Sequence, residues 1–234
     1  MRRTPKREAV PIAKAQAVEI IGLVTEALKG DRHAATAVCE RLAAAFGSRA
    51  VPYHDFHRLV LTLFKVQPMA ALDAFLRPSE HLSGHSTILA MFNDVPYFPR
   101  HPIMEVAEDT VLGWCAKDPG RNFPAAATSV PYSRAVSDGT GLGWSDLALR
   151  MLERAPEPLR VMKSFIDRFA PHSWSGSRAS IIETNAKLLT AFEQSGDKEL
   201  ARFSHVELKR LLDYARRERE WEIEISRDSD QCFE

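Results

Sequence analysis

The chain has 234 residues, 45% of them hydrophobic and 26% charged, and its 31 basic residues balance 31 acidic ones. A chain of this length and apolar content is expected to bury a core of its own, which excludes a disordered or collagen-like protein. The formal charge of zero argues against a protein whose whole surface is built to hold nucleic acid.

The three cysteines, Cys39, Cys115 and Cys232, are too far apart for metal-ligand spacing, and an odd number suits no closed disulfide framework. We therefore expect reduced, mostly buried thiols in a cytoplasmic protein. There is no apolar run of 18 residues, so the sequence predicts no membrane-spanning helix. Residues 1–7 carry four positive charges but lead into no apolar segment of the kind that a secretory signal needs.

Helical periodicity dominates the first third of the chain. Apolar positions in residues 10–29 recur with the helical period, and a second helix is predicted from Asp31, its cap, to Gly47. A third helix begins near His54–Asp55. Pro68 ends it and opens a fourth, because proline is favoured at the first position of a helix.

The middle of the chain is less regular. Prolines and a glycine recur through residues 77–103, and proline cannot occupy a helix interior without removing a hydrogen bond, so we predict an ordered crossover loop. Residues 131–143 are predicted to form a second loop. Helical faces then follow in residues 144–152, 159–169, 181–192 and 200–215.

The C-terminal residues 216–234 contain four basic and seven acidic residues. Residues 220–225 alternate between charged and apolar side chains, which is the period of a strand. Strong helix formers precede them without a turn residue between, and we therefore predict a helix that continues and frays. The acidic end is either a solvated terminus or a charged docking tail.

Short turns of similar composition join the predicted helices. In three of them Pro119, Pro158 and Lys198 are 39 and 40 residues apart, and Lys65–Met69 is a candidate fourth copy. On these turns the stretch 105–215 resembles HEAT-type helical repeats. The resemblance implies an all-α fold, a HEAT-like α-solenoid; an irregular helical bundle of antiparallel helix pairs is the alternative. We expect residues 1–234 to form a single helical domain, with sub-units 1–76 (N-terminal helices), 77–104 (Pro-rich crossover loop), 105–215 (HEAT-like hairpins) and 216–234 (charged tail).

The adjacent pair His54–Asp55 is the main enzymatic candidate. With scattered histidines and Asp138 it resembles, in order, the ligand set of HD-type phosphohydrolases, which hold divalent metals to activate water. His57 lies one turn from His54 and shares its helix face. Asp55 is equally explained as a helix cap. The candidate metal ligands are therefore His54, Asp55 and His57.

The hexapeptide Ser173–Arg178 is the most distinctive local sequence. We predict that Ser177 caps a helix and that Trp174 packs over the preceding hairpin. Arg178 and the helix N-terminus are expected to converge as an anion-binding or partner-binding site. Arg202 and Arg210 are further candidates, because they belong to a basic stripe that could follow a nucleic-acid backbone, although acidic residues interleave with it.

These observations predict a cytoplasmic helical-repeat scaffold that binds another macromolecule, a protein partner within an assembly. The alternatives are a metal-dependent HD-like phosphohydrolase that uses His54 and Asp55, and a nucleic-acid-binding helical repeat. Binding is favoured over catalysis, and we expect no cofactor and no membrane attachment.

Overall fold

The computed structural model describes Leu23 and residues 26–77, 87–93, 101–136 and 141–231, with the side chains of residues 53, 54 and 228–231 outside this description. These residues are mainly helical, so the all-α class is confirmed. The helices are α1 (Arg32–Gly47), α2 (His57–Val66), α3 (Pro68–Phe75), α4 (Glu108–Cys115), α5 (Pro119–Ala127), α6 (Asp146–Arg154), α7 (Pro158–Ile166), α8 (Arg178–Ala186) and α9 (Lys198–Gln231). Short 3-10 helices span Tyr53–Phe56, Ile88–Phe92, Pro102–Glu105 and Lys187–Phe192.

Side-chain caps begin several of these helices where the sequence predicts them. The Asp31 carboxylate accepts a hydrogen bond from the Ala34 N–H at 2.9 Å at the start of α1. The Ser177 hydroxyl accepts one from the Ser180 N–H at 3.1 Å at the start of α8. Each cap satisfies an amide that has no partner within its own helix. Both predicted starts are therefore confirmed.

The turns that resemble one another in sequence also share a backbone geometry. Gln67, Asp118 and Glu157 immediately precede the prolines that open α3, α5 and α7. Their φ angles are −138°, −144° and −126°, and their ψ angles are 62°, 79° and 75°. These angles lie outside the α region, which a residue before proline avoids because it would clash with the ring.

Each of these turns joins two helices that contact each other: α2 with α3, α4 with α5, and α6 with α7. The segment formed by α8 and the following 3-10 helix packs in the same way against α9. The second helices of successive pairs also contact one another, α5 with α7 and α7 with α9. Helix pairs therefore pack side by side in chain order.

Hydrogen bonds between neighbouring pairs join residues about 40 positions apart. The Trp114 indole N–H in α4 donates to the Asp73 carboxylate in α3 at 2.8 Å, across 41 residues. Similar bonds, across 42 and 41 residues, join Arg150 to Glu108 and Arg168 to the Ala127 carbonyl. The spacing of the turns in sequence is thus also the spacing of contacts in space.

The predicted loop over residues 131–143 requires a correction. Its flanks pair as a two-stranded antiparallel hairpin, β1 (Ser133–Ala135) and β2 (Leu142–Trp144), in which Ser133 lies opposite Trp144. Strands of three residues are too short to display an alternating pattern, so no strand could be predicted from the sequence. Trp144 consequently ends β2 instead of opening the helix, and α6 begins at Asp146 after its cap, Ser145.

Two further predictions concern the ends of the chain. The C-terminal helix continues to Gln231, so the helical interpretation of the alternating segment is confirmed. The predicted helix of residues 10–29 lies mostly outside the described residues. The part of this region that is described, Leu23 and residues 26–30, is helical. In the crossover region the two 3-10 helices bury apolar side chains, and residues 78–86 and 94–100 lie outside the description.

Buried apolar side chains from Leu28 to Ala215 form one contiguous core. Within it, the Trp144 ring lies 5.3 Å from Phe192 and 5.7 Å from Phe165 between ring centroids, and its indole N–H donates to the Leu188 carbonyl at 2.8 Å. Trp144 therefore ties the hairpin to α7 and to the segment after α8.

Within the described part of the chain, no helix combines the length and the apolar character needed to cross a bilayer.

Replacing Trp144 with phenylalanine should lower the free energy of unfolding by about 1–3 kcal/mol, because the buried Leu188 carbonyl loses its donor. The matched control is Trp221→Phe, since Trp221 is 52% exposed, and it should change stability by less than about 0.5 kcal/mol. Urea denaturation followed by circular dichroism measures both. Equal effects of the two substitutions would contradict the assignment of Trp144 to the core.

Candidate interaction surface

Three of the predicted site residues, Trp174, Ser177 and Arg178, meet at the N-terminus of α8 and face α9. The Arg178 guanidinium lies over the Trp174 ring, 4.8 Å from its centroid, and over the Tyr214 ring, 5.6 Å from its centroid. Cations placed so close to an aromatic face are attracted by its negative quadrupole. Arg178 is therefore held between one aromatic ring from the loop and one from α9.

Hydrogen bonds fix the same guanidinium in place. It donates to the Pro171 carbonyl at 3.0 Å, to the Tyr214 hydroxyl at 2.8 Å and to the Glu218 carboxylate at 3.1 Å. The Arg178 and Glu218 side chains are only 16% and 10% exposed. A pair so shielded from water is tolerated only when its polar atoms find further partners, which Tyr214 and Pro171 supply.

A second carboxylate of α9 occupies the N-terminus of α8. Glu222 accepts hydrogen bonds from the Ser177 hydroxyl at 2.7 Å and from the Ala179 N–H at 3.1 Å. The Ser177 hydroxyl bond, followed by the backbone amides, holds the pKa of the Glu222 carboxyl below its usual value. The free amides of a helix N-terminus favour an anion, and here the anion comes from the same chain.

Arg178 and the helix N-terminus therefore lie together as predicted. The place expected for an external anion is occupied by the carboxylates of Glu218 and Glu222. The predicted packing of Trp174 over the preceding hairpin stays a prediction. Trp174 remains 43% exposed, and its partner is the Arg178 guanidinium.

Further ion pairs extend this contact along the two helices. Arg219 of α9 donates to the Glu183 carboxylate of α8, which also accepts an ion pair from Lys187 at 3.1 Å. The Arg219 hydrogen bond, and then Lys187, lower the pKa of Glu183. Beyond the end of α8, His205 contacts Glu193 at 2.9 Å. The order of these contacts makes α9 antiparallel to α8.

The other two candidates, Arg202 and Arg210, lie nearer the N-terminus of α9 and do not join this cluster. Arg210 donates to Glu207 at 2.7 Å, one turn away. Arg216, from the same basic stripe, pairs with Asp213 at 3.0 Å. Several charges of the stripe are thus neutralised within the helix.

The metal candidates are not brought into one cluster by the described side chains. His57 is 4% exposed, and its ring lies 5.9 Å from Phe92, whereas Asp55 is exposed. The His54 side chain lies outside the description. Among the described residues no three His, Cys, Asp or Glu side chains are grouped as a metal site. The phosphohydrolase interpretation stays a prediction.

Three titratable groups elsewhere, His101, Cys39 and Cys115, have pKa values shifted in favour of their neutral forms. Burial, followed by the charge of Arg168, lowers the pKa of His101 to about 3. Cys39 and Cys115 are buried free thiols, as predicted, and burial raises the pKa of each to about 12. A thiol needs its thiolate form to act as a nucleophile, so neither is suited to nucleophilic chemistry at neutral pH.

The end of α9 presents apolar side chains that sequence analysis did not identify as a surface. Trp221, Ile223 and Ile225 are 52%, 47% and 44% exposed. Residues 223–227 are all exposed, and five consecutive residues cover the whole circumference of a helix. This segment therefore packs against no other element of the described part of the protein. The alternating pattern was the available signal, because alternation within a helix places apolar residues on more than one face.

Comparison with protein-family models, with curated proteins and with solved structures finds no match to this chain. What the surface does must therefore follow from its own geometry.

The substitution Arg178→Lys should lower the free energy of unfolding by about 1–3 kcal/mol, because one ammonium cannot replace the planar fork that reaches three acceptors. Arg202→Lys is the control, since Arg202 is exposed, and its effect should stay within about 0.5 kcal/mol. Urea denaturation measures both. A loss of the same size in the control would refute the role assigned to Arg178.

The Glu222 contact should make the stability of the α8–α9 pair depend on pH. Because its folded-state pKa is lowered from 4.5, the stabilisation is complete above about pH 5.5 and is lost as the pH falls through the folded-state pKa. The difference in thermal midpoint between the parent and Glu222→Gln should therefore be constant near neutrality and shrink in acid. Glu224→Gln, in which the replaced carboxylate is exposed, should match the parent throughout; a pH-independent difference for Glu222→Gln would count against the charged contact.

Proposed function

We propose that this protein is a HEAT-like interaction scaffold that binds a protein partner through the surface formed by Trp174, Arg178, Tyr214 and Trp221, here called the aromatic surface. The observation that carries the proposal is the pair of half-exposed tryptophans, 43% and 52% accessible, beside an arginine held rigidly between two rings. Tryptophan, tyrosine and arginine dominate the binding energy of protein interfaces.

The geometry of α9 supports a continuous surface. Tyr214, Glu218, Trp221 and Ile225 are spaced by four, three and four residues, so they share one helix face. Arg178 contacts the first two of them, and Trp174 contacts Arg178. Because Glu218 and Glu222 fasten α9 to α8, a partner would meet side chains that are already ordered and would lose little entropy by ordering them.

The arrangement of the helix pairs supports the same proposal. Three turns share one backbone geometry, and the helix pairs that they join are linked by hydrogen bonds across about 40 residues. Arrays of this kind contact only their neighbours and offer extended surfaces for binding. The free thiols Cys39 and Cys115 are in keeping with a reducing, cytoplasmic setting.

A protein partner is preferred to nucleic acid because the arginines nearest the surface are engaged. Arg178 pairs with Glu218, Arg216 with Asp213 and Arg219 with Glu183. Binding to a phosphate backbone would require cations that are free to replace counterions. Exposed indole rings bordered by carboxylates fit a polypeptide better than they fit a negatively charged phosphate backbone.

A photo-crosslinking amino acid at position 221 should capture one predominant protein in the native host. Position 212 is the control, because Leu212 is 38% exposed and lies nine residues away, on the opposite face of the same helix. The adduct from position 221 should be absent from position 212 and should be lost when Trp174→Ala is added. Identical adducts from both positions, or no dependence on Trp174, would overturn the proposal.

A further inference from the structure

The last turns of α9 combine apolar exposure with uncompensated negative charge. We call residues 219–231 the α9 tip. Residues 220–230 contain five acidic residues and one basic residue. Glu220 and Glu224 are exposed and form no ion pair with any side chain in the described part of the protein. Trp221 and Ile225 directly follow these two carboxylates and lie one turn apart on one face.

The opposite end of the chain has the complementary composition. Residues 2–14 contain five basic residues and one acidic residue. Apolar residues recur with the helical period through residues 10–21. The structure of this segment lies outside the described residues, and Leu23, which follows it, is 69% exposed in a helical turn.

The order of helix contacts separates the two ends. Contacts run along the chain from α1 with α3, through α3 with α4, to α5 with α7 and α7 with α9. The tip extends beyond the last of these contacts, since residues 223–227 are exposed on every side. In a stack of this order the first and last described helices lie at opposite ends, and the basic segment precedes the first of them in sequence, which favours contact with the tip of another molecule.

We propose that the α9 tip binds residues 2–21 of a second copy of this chain, so that copies associate head to tail. The proposal rests on the proposed function, because the tip continues the aromatic surface through Trp221. Opposite charges would orient the two segments, and the Trp221 and Ile225 side chains would be covered by the apolar positions of the incoming segment. A contact between two different surfaces is heterologous, and it extends unless a ring closes.

Paired charge reversals test this pairing. One variant combines Arg2→Glu, Arg3→Glu, Lys6→Glu and Arg7→Glu; the other combines Glu220→Lys and Glu224→Lys. Sedimentation velocity over a range of concentrations, in about 50 mM salt, measures association of the full-length chain. The parent should self-associate, and each variant alone should do so at least about tenfold more weakly, because the first variant gives both ends negative charge and the second cancels the negative charge of the tip.

An equimolar mixture of the two variants should recover association to within about threefold of the parent, because the unaltered acidic tip of one variant then meets the unaltered basic segment of the other. The matched control for the tip variant combines Glu40→Lys and Glu153→Lys, which makes the same change in net charge as that variant at exposed positions elsewhere, and it should associate like the parent. Circular dichroism and thermal midpoints establish that every variant is folded.

A parent that stays monomeric at all concentrations would overturn the proposal, as would a mixture that fails to recover association. If the parent is monomeric while position 221 still captures another protein in the host, only the second-copy inference fails and the proposed function stands. If position 221 also captures nothing, both fail.

Discussion

The central helices of this protein are only eight or nine residues long, and a helix of that length is unstable in water by itself. Each is stable only because one face is buried against the next helix of its pair and against the neighbouring pair. Polar contacts follow the same arrangement, since bonds such as Trp114 to Asp73 join residues about 40 positions apart. Each helix therefore depends on its neighbours for the burial that stabilises it.

The C-terminal helix α9 is anchored in the core by Leu200, Leu211 and Ala215, and polar contacts hold it to α8 beyond these residues. Arg178 reaches three acceptors while stacked between two rings, and Glu222 satisfies the free amides of α8. Removing an arginine and a carboxylate from water costs free energy that only a complete set of partners offsets. The set of partners is complete here, so the contact orders the surface. Trp174 and Trp221 remain partly accessible to solvent beside it.

The same contact determines which charged groups of the sequence are paired within the folded chain. A serine-capped helix beside an arginine is a favourable place for an external anion. In the folded chain that place is filled by carboxylates from residues 218 and 222, about 40 positions away. The exposed carboxylates Glu220 and Glu224 alternate with these two along the same helix. Charge that docks the helix and charge that is free for a partner thus lie within a few residues of each other.

The sequence by itself determined the all-α class, the caps Asp31 and Ser177, and the turns at Pro68, Pro119 and Pro158. These depend on residues close together in the chain, whose local backbone preferences are strong. It did not reveal the hairpin that ends at Trp144, because strands of three residues carry no readable period and are held by contacts with distant helices. Only the tertiary structure decided which anion meets Arg178 and which apolar residues of α9 stay uncovered. Both depend on how far α9 extends along α8, and that register is set by side chains that meet only once the helices pack.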